Sequence, residues 1–366
     1  MPPPSFTFGW LALLTSSLAC GGGGARSDAG DGGASDGAPA AVLTGTPGVW
    51  TWVDVPGMTC DDGTPTGVAI NPAPGGTASA DLVVYFMGGG ACWDASTCFV
   101  LNTSLHGPFG RAQWEANGVA FFAHQFDRAR ATNPYRAASY VIVPYCTGDL
   151  HAGSNVATYD VLGPRPFHHV GRLNVEAVLP RLRATWPSPA RIVIAGTSAG
   201  GFGATLNYAL FRDTYPAATM SLVNDAGPLL EGDGIPAAAR AAWYASWHLG
   251  DVVDPLCAGC AADLSLMYPA LTARHPQDRM ALLTSLRDEV IGAYFLIPLA
   301  ADLELRMRAL IANRIAPSAA FRAFVIPGAS HGLIGAADTI TSGGMTVETW
   351  LTRMHAGDPT WTTVGL

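Results

Sequence analysis

Lysine is absent: every one of the 20 basic residues in this 366-residue chain is arginine. That excludes chemistry built on a lysine amine, such as Schiff-base or pyridoxal-phosphate catalysis, a Walker A loop or the strand lysine of a kinase. Hydroxyl nucleophiles remain open. Charge of either sign is scarce, at 13% of residues against a usual share of about 25%. Much of the surface must therefore be Gly, Ser, Thr, Asn and small apolar residues. The balance is acidic, −8 at pH 7, which argues against a nucleic-acid partner, since that would need a basic stripe. Long apolar runs are missing too. Residues 9–19 (GWLALLTSSLA) are too few to span a membrane and have the length of a signal-peptide core. With 49% hydrophobic residues, the chain can still bury a full core.

The apolar run ends at Cys20, where Gly21–Gly24 open a Gly/Ala/Asp/Ser stretch with too little apolar content to fold. Run and cysteine together resemble a bacterial lipoprotein signal, although Ser17 stands where such signals prefer leucine. The resemblance implies an exported chain, with a lipoprotein-like signal segment over residues 1–20, Cys20 as the lipidated residue and residues 21–46 as a flexible tether. A lipid on Cys20 would be the only membrane attachment. Cys60, Cys92, Cys98, Cys146, Cys257 and Cys260 follow. An even set of cysteines in an exported chain points to disulfides, but their number alone does not choose the connectivity. Spacing favours the local pairs Cys92–Cys98 and Cys257–Cys260, which leaves Cys60 with Cys146. The CxxC at Cys257 has no second CxxC or CxxH to complete a zinc set, so no metal is expected.

From about Val49 onward, apolar runs alternate with amphipathic segments. Leu82–Met87, Tyr140–Tyr145, Arg191–Ala195, Met220–Val223, Met280–Leu283 and Phe321–Ile326 read as strands covered on both faces, as in a parallel sheet. Val175, Val178, Leu179 and Leu182 recur at helical spacing, as do Phe202, Leu206, Ala209 and Leu210, and later Val347, Trp350, Leu351 and Met354. Alternation of this kind predicts an α/β fold, a mostly parallel sheet with helices on both faces. Residues 230–279, with Trp243 and Trp247, fit it poorly and read as an insertion over the strand C-terminal ends, where such sheets bind ligands.

The sharpest motif is Gly196-Thr197-Ser198-Ala199-Gly200, between a buried strand and an amphipathic helix. G-x-S-x-G in that setting is the nucleophile elbow of the α/β-hydrolase fold. It makes Ser198 the candidate nucleophile and gives the Ala199 amide a place in an oxyanion hole. Gly88-Gly89-Gly90 follows an earlier strand, where this fold draws its other oxyanion donors, and Gly89 and Gly90 are the candidates. The chain order of the fold is Ser, acid, His. Of the later histidines, His248 lies in the insertion and His355 on a predicted helix that reads as surface. His331 sits in the loop between the last strand and the C-terminal helix, where the general base belongs. Asp288, after the strand Met280–Leu283, is the favoured acid. Asp225 is its rival, with a plain alternative role as a turn carboxylate accepting backbone N–H bonds.

With these residues in place, the chain resembles the pectin acetylesterase/Notum family of serine carboxylesterases from about residue 50 to its end. Four stretches carry the likeness: Cys60-Asp61-Asp62-Gly63-Thr64-Pro65, Gly88-Gly89-Gly90-Ala91-Cys92-Trp93 with Cys98, Tyr145-Cys146-Thr147-Gly148-Asp149, and Gly196-Thr197-Ser198-Ala199-Gly200-Gly201. The resemblance implies an α/β-hydrolase catalytic domain over residues 47–366. It also implies Ser198, Asp288 and His331 as a triad, disulfides that match the pairs above, no cofactor, and an ester substrate such as an acetylated polysaccharide. The chain departs from the family in its shorter spacing after Ser198, in Ala226-Gly227-Pro228, which lacks the family's frequent aromatic, and in the insertion itself. A hydrophobic ester is the competing substrate, and an inactive hydrolase-fold binding protein the competing role.

Overall fold

The computed structural model describes residues 40–75 and 81–366. The leader, Cys20 and most of the tether lie outside the described residues.

An eight-stranded sheet forms the centre. Its strands are β1 (Thr51–Thr59), β2 (Pro65–Asn71), β3 (Asp81–Phe86), β4 (Ser139–Val143), β7 (Arg191–Thr197), β8 (Thr219–Asp225), β9 (Arg279–Ser285) and β10 (Phe321–Ile326), in the order β1-β2-β4-β3-β7-β8-β9-β10. The hairpin β5 (Asn155–Asp160) and β6 (Pro164–His169) stands apart. β4, β3, β7, β8, β9 and β10 run parallel, while β1 and β2 add an antiparallel edge.

The parallel strands are apolar throughout because both faces are covered. Tyr85 and Phe86 are neighbours in β3 and so point to opposite sides. Phe86 meets Phe211 of the helix α2 (Ala199–Thr214), while Tyr85 meets Phe122 and Phe126. At the far edge Phe321 packs on Tyr268, and Phe324, on the opposite side, packs on Trp350 of the C-terminal helix Val347–Ala356. The helix α1 (Gly171–Thr185) buries Val175, Val178, Leu179 and Leu182, the spacing its sequence foretold.

The chain leaves β3 toward β4 on one side, and β7 lies on its other side. A crevice opens between the carboxyl ends of β3 and β7, where a doubly wound sheet binds its ligand. Region 230–279 contains the helix α3 (Ala237–Ser246), and also Met267–Arg274, which leads directly into β9. Three disulfides are formed: Cys92–Cys98 and Cys257–Cys260, the local pairs that spacing favoured, and Cys60–Cys146, the pair these left over. No helix among the described residues is long and apolar enough to cross a membrane.

Candidate active site

β7 ends at Thr197 and α2 begins at Ala199, which leaves Ser198 alone at the bend. Its backbone sits at φ 60°, ψ −126°, a region L-residues avoid at a cost of roughly 1–3 kcal/mol. The surroundings hold it there. The Ser198 amide donates to the Asp225 carbonyl at 2.8 Å, and the Ser198 carbonyl accepts from Gly201 and Phe202 at 2.8 and 3.2 Å. A Cβ on Gly196 would strike the Gly200 carbonyl, and one on Gly200 the Phe86 carbonyl. Those two contacts are why the turn needs glycine on either side of the serine.

The three glycines after β3 form the facing wall. Gly90 has φ 77°, and a Cβ there would strike the Thr103 carbonyl and the Tyr294 hydroxyl. Leu105 N donates to Gly89 O at 2.7 Å, and Tyr145 Oη to Gly90 O at 2.8 Å. The two carbonyls are therefore occupied. No hydrogen bond among the described residues uses the amide N–H of Gly89 or Gly90. Ala199 opens α2, so its N–H has no acceptor within the helix. Gly90, Ala91 and Ala199 line the cleft beside Ser198, while Gly89 packs on Tyr145 and Leu105.

Asp288 caps the helix α4 (Glu289–Tyr294), accepting from Val290 N and Ile291 N at 3.0 and 3.1 Å, and is fully buried. Its two oxygens lie 3.0 and 2.9 Å from Nδ1 of His331. An ionised carboxylate can only accept, so Nδ1 carries the proton and Nε2 is left as the basic nitrogen. The loop bearing His331 is stitched to the end of β9 by Leu286 N to Ile326 O (2.9 Å), Arg287 N to Gly328 O (3.2 Å) and Ser285 Oγ to Ser330 O (2.6 Å).

Asp225, the rival acid, is placed otherwise. Its carboxylate accepts from Thr197 Oγ1 (2.7 Å), Leu333 N (2.8 Å) and Ile334 N (3.1 Å), with no hydrogen bond to the His331 ring. Burial raises its pKa above the usual carboxylate range. A Cβ added to Gly332 would lie 2.8 Å from Cγ2 of Thr197. The histidine loop therefore lies directly against the residue that precedes Ser198. The other histidines stand elsewhere. His248 is exposed beside Asp251. His355, which read as surface, is half-buried with Nε2 at 2.9 Å from the Tyr135 hydroxyl, and burial lowers its pKa to about 4.

The cleft beside Ser198 is narrow, with about 20 Å³ open to the centre of a water molecule. Leu150, Phe202, Trp243, Ile291, Tyr294 and Phe295 complete its walls. Sequence reasoning missed Phe202, Tyr294 and Phe295 as cleft residues, because helical spacing marks an aromatic as buried without saying what it faces. A larger hollow of about 110 Å³ opens at the amino ends of the strands, beside Arg191, Arg279 and His355, and holds none of the candidate residues. Among the described residues the metal-type grouping of Cys92, Cys98 and His169 offers no thiolates, since the two cysteines are joined to each other.

A mostly parallel sheet, a strained serine at the end of a central strand and a buried carboxylate paired with a histidine define a chain of the α/β-hydrolase fold. A family model described as pectinacetylesterase matches residues 51–301. The chain belongs to the pectinacetylesterase family, which also takes in the Notum proteins. It is 26% identical to the human palmitoleoyl-protein carboxylesterase NOTUM over 183 residues, 48% of this chain and 35% of that protein. It is 32% identical to the inactive palmitoleoyl-protein carboxylesterase notum1b of Danio rerio over 120 residues, 32% of this chain and 77% of that one. The match thus spans about a third of the length of the human relative. The Wnt deacylase Notum from Drosophila shares the fold, with a TM-score of 0.61 and 18% identity, over 84% of this chain and 93% of that one.

Proposed function

We propose that this chain is a carboxylic ester hydrolase that works through an acyl-enzyme on Ser198. The observation that carries the reading is the pairing of buried Asp288 with His331, at 2.9 Å, the histidine in a loop packed against the serine elbow. His331 Nε2 takes the Ser198 proton as Oγ attacks the ester carbonyl. The developing oxyanion receives the free N–H groups of Gly89, Gly90 and Ala199. Asp288 fixes the imidazole tautomer and stabilises the imidazolium. His331 then gives its proton to the departing alcohol. Water, deprotonated by the same nitrogen, attacks the acyl carbonyl; the acyl–Oγ bond then breaks, Ser198 Oγ takes the proton back from His331, and the carboxylic acid is released. None of these steps calls for a metal or an organic cofactor.

The narrow cleft favours a short acyl group, acetyl above all, over a long chain. Family membership favours an O-acetylated polysaccharide as the carrier of that acetyl group, and the leader favours work outside the cytoplasm. The test is acetate release from a panel of acetylated glycans and labelling by a fluorophosphonate probe. Both are expected in the wild type and absent in Ser198→Ala. Equal labelling of the two proteins would overturn the reading.

A further inference from the structure

Asp225 is the last residue of β8, and its side chain is completely buried. Among the described residues its side chain makes no hydrogen bond to the Ser198 hydroxyl or the His331 ring, yet both halves of the site hang from it. On one side, its carbonyl accepts the Ser198 amide at 2.8 Å, and Oδ2 accepts the Thr197 hydroxyl at 2.7 Å. On the other, Oδ1 accepts Leu333 N at 2.8 Å and Oδ2 accepts Ile334 N at 3.1 Å, just past His331. Thr197 Oγ1 has spent its proton on Asp225. It therefore accepts from the Tyr85 hydroxyl, 2.7 Å away, which ties in the end of β3. Asp225 is anchored in turn by the next residue, whose amide donates to Leu283 O of β9 at 2.9 Å.

The chemistry of the group is specific. Three donors converge on two oxygens, which suits an ionised carboxylate, an acceptor at every lone pair. Asparagine would turn an NH₂ toward at least one of those donors. The charge is also costly. No ion pair among the described residues involves Asp225, and burying an unpaired carboxylate lowers stability.

We infer that Asp225 is a positioning residue, a strut that fixes the separation of nucleophile and base by holding Thr197 and the Leu333–Ile334 turn on one carboxylate. The inference rests on Ser198 and His331 being the reacting pair. It predicts that loosening the strut slows the chemical step and leaves substrate binding alone, because none of its atoms lines the cleft.

The experiment measures kcat and KM for p-nitrophenyl acetate, with melting temperatures, in Asp225→Asn, Thr197→Val, Thr197→Ser and Ser198→Ala. Thr197→Val keeps the shape and removes the hydroxyl. Misplacing a reacting group by ~1 Å costs on the order of 100-fold in rate. Accordingly, Asp225→Asn and Thr197→Val are expected to lose roughly 10- to 100-fold in kcat, with KM held within about twofold. Thr197→Ser restores the hydroxyl and should recover most of the loss. Should Asp225→Asn fail to fold, the two Thr197 variants decide. Wild-type kcat in Thr197→Val, a serine variant as slow as the valine one, or a loss confined to KM would each overturn the strut while Ser198→Ala stays inactive. Wild-type turnover in Ser198→Ala would instead overturn the hydrolase reading, and the strut with it.

Discussion

At the scale of single residues, Asp288 does two jobs with one carboxylate, capping α4 and holding His331 Nδ1. The two can be separated by substitution. Asparagine caps a helix about as well as aspartate, but its NH₂ can face Nδ1 and drive the proton to Nε2, the nitrogen that must accept. Asp288→Asn is therefore expected to fold normally and lose about 10³- to 10⁴-fold in kcat, read from p-nitrophenyl acetate turnover beside a melting curve. Asp288→Ala should lose the cap as well, a further ~1 kcal/mol of stability. Another residue bears on acid sensitivity. His169 is fully buried, its Nδ1 donating to Thr147 O at 3.0 Å and its Nε2 accepting from the Tyr159 hydroxyl at 2.8 Å. Burial lowers its pKa to about 3. The unfolded chain, with an ordinary histidine near 6.5, binds the proton first. Stability tied to His169 is thus whole above about pH 6.5 and drains away as pH falls toward 3. His169→Gln should lose less melting temperature than the wild type between pH 7 and pH 5. An equal or larger loss would show that the imidazole is not what the acid attacks.

Among the secondary elements, the helix α3 places an aromatic wall beside Ser198. It carries Trp243, which stacks on Trp247 with centroids 4.9 Å apart and meets Trp93 edge-on at 6.0 Å. Trp247 is itself pinned, its Nε1 donating to Cys92 O at 2.9 Å. The Trp243 ring is thereby a fixed wall of the cleft, and its Nε1 has no partner among the described residues. Trp243→Phe consequently breaks no hydrogen bond. Trp243→Ala should raise the ratio of octanoate to acetate hydrolysis about tenfold or more, one methylene being worth ~1 kcal/mol or more in such a pocket. Trp243→Phe should fall between. An unchanged ratio in both variants would mean that the acyl chain lies elsewhere. The elements themselves were largely legible in the sequence, since β3, β7 and β10 fall where continuous apolar runs predicted strands. Region 230–279 was not. Its short helices mix buried tryptophans with surface residues, and a stacked aromatic cluster has no sequence period.

For the whole molecule, the widest cross-link is Cys60–Cys146, which joins positions 86 residues apart, against 3 for Cys257–Cys260. In the chain-entropy account, stabilisation grows with the length of chain enclosed. Replacing Cys60 and Cys146 together by serine is expected to cost about 4–5 kcal/mol in chemical denaturation, and the Cys257/Cys260 pair far less. Equal costs would reverse that ranking.

The sequence by itself determined the six parallel strands, the elbow and the chain order of the proposed triad, Ser198, Asp288 and His331. Each of these rests on local rules: the spacing of apolar residues, the need for glycine beside a strained serine, and the succession of strand ends in one sheet. Only the tertiary structure shows which of Asp288 and Asp225 faces the His331 ring. Both follow strands and both are buried. What separates them is which donor each carboxylate faces, an imidazole in one case and two amides with a hydroxyl in the other. That depends on how adjacent strand ends abut in space, and no spacing along the chain encodes it.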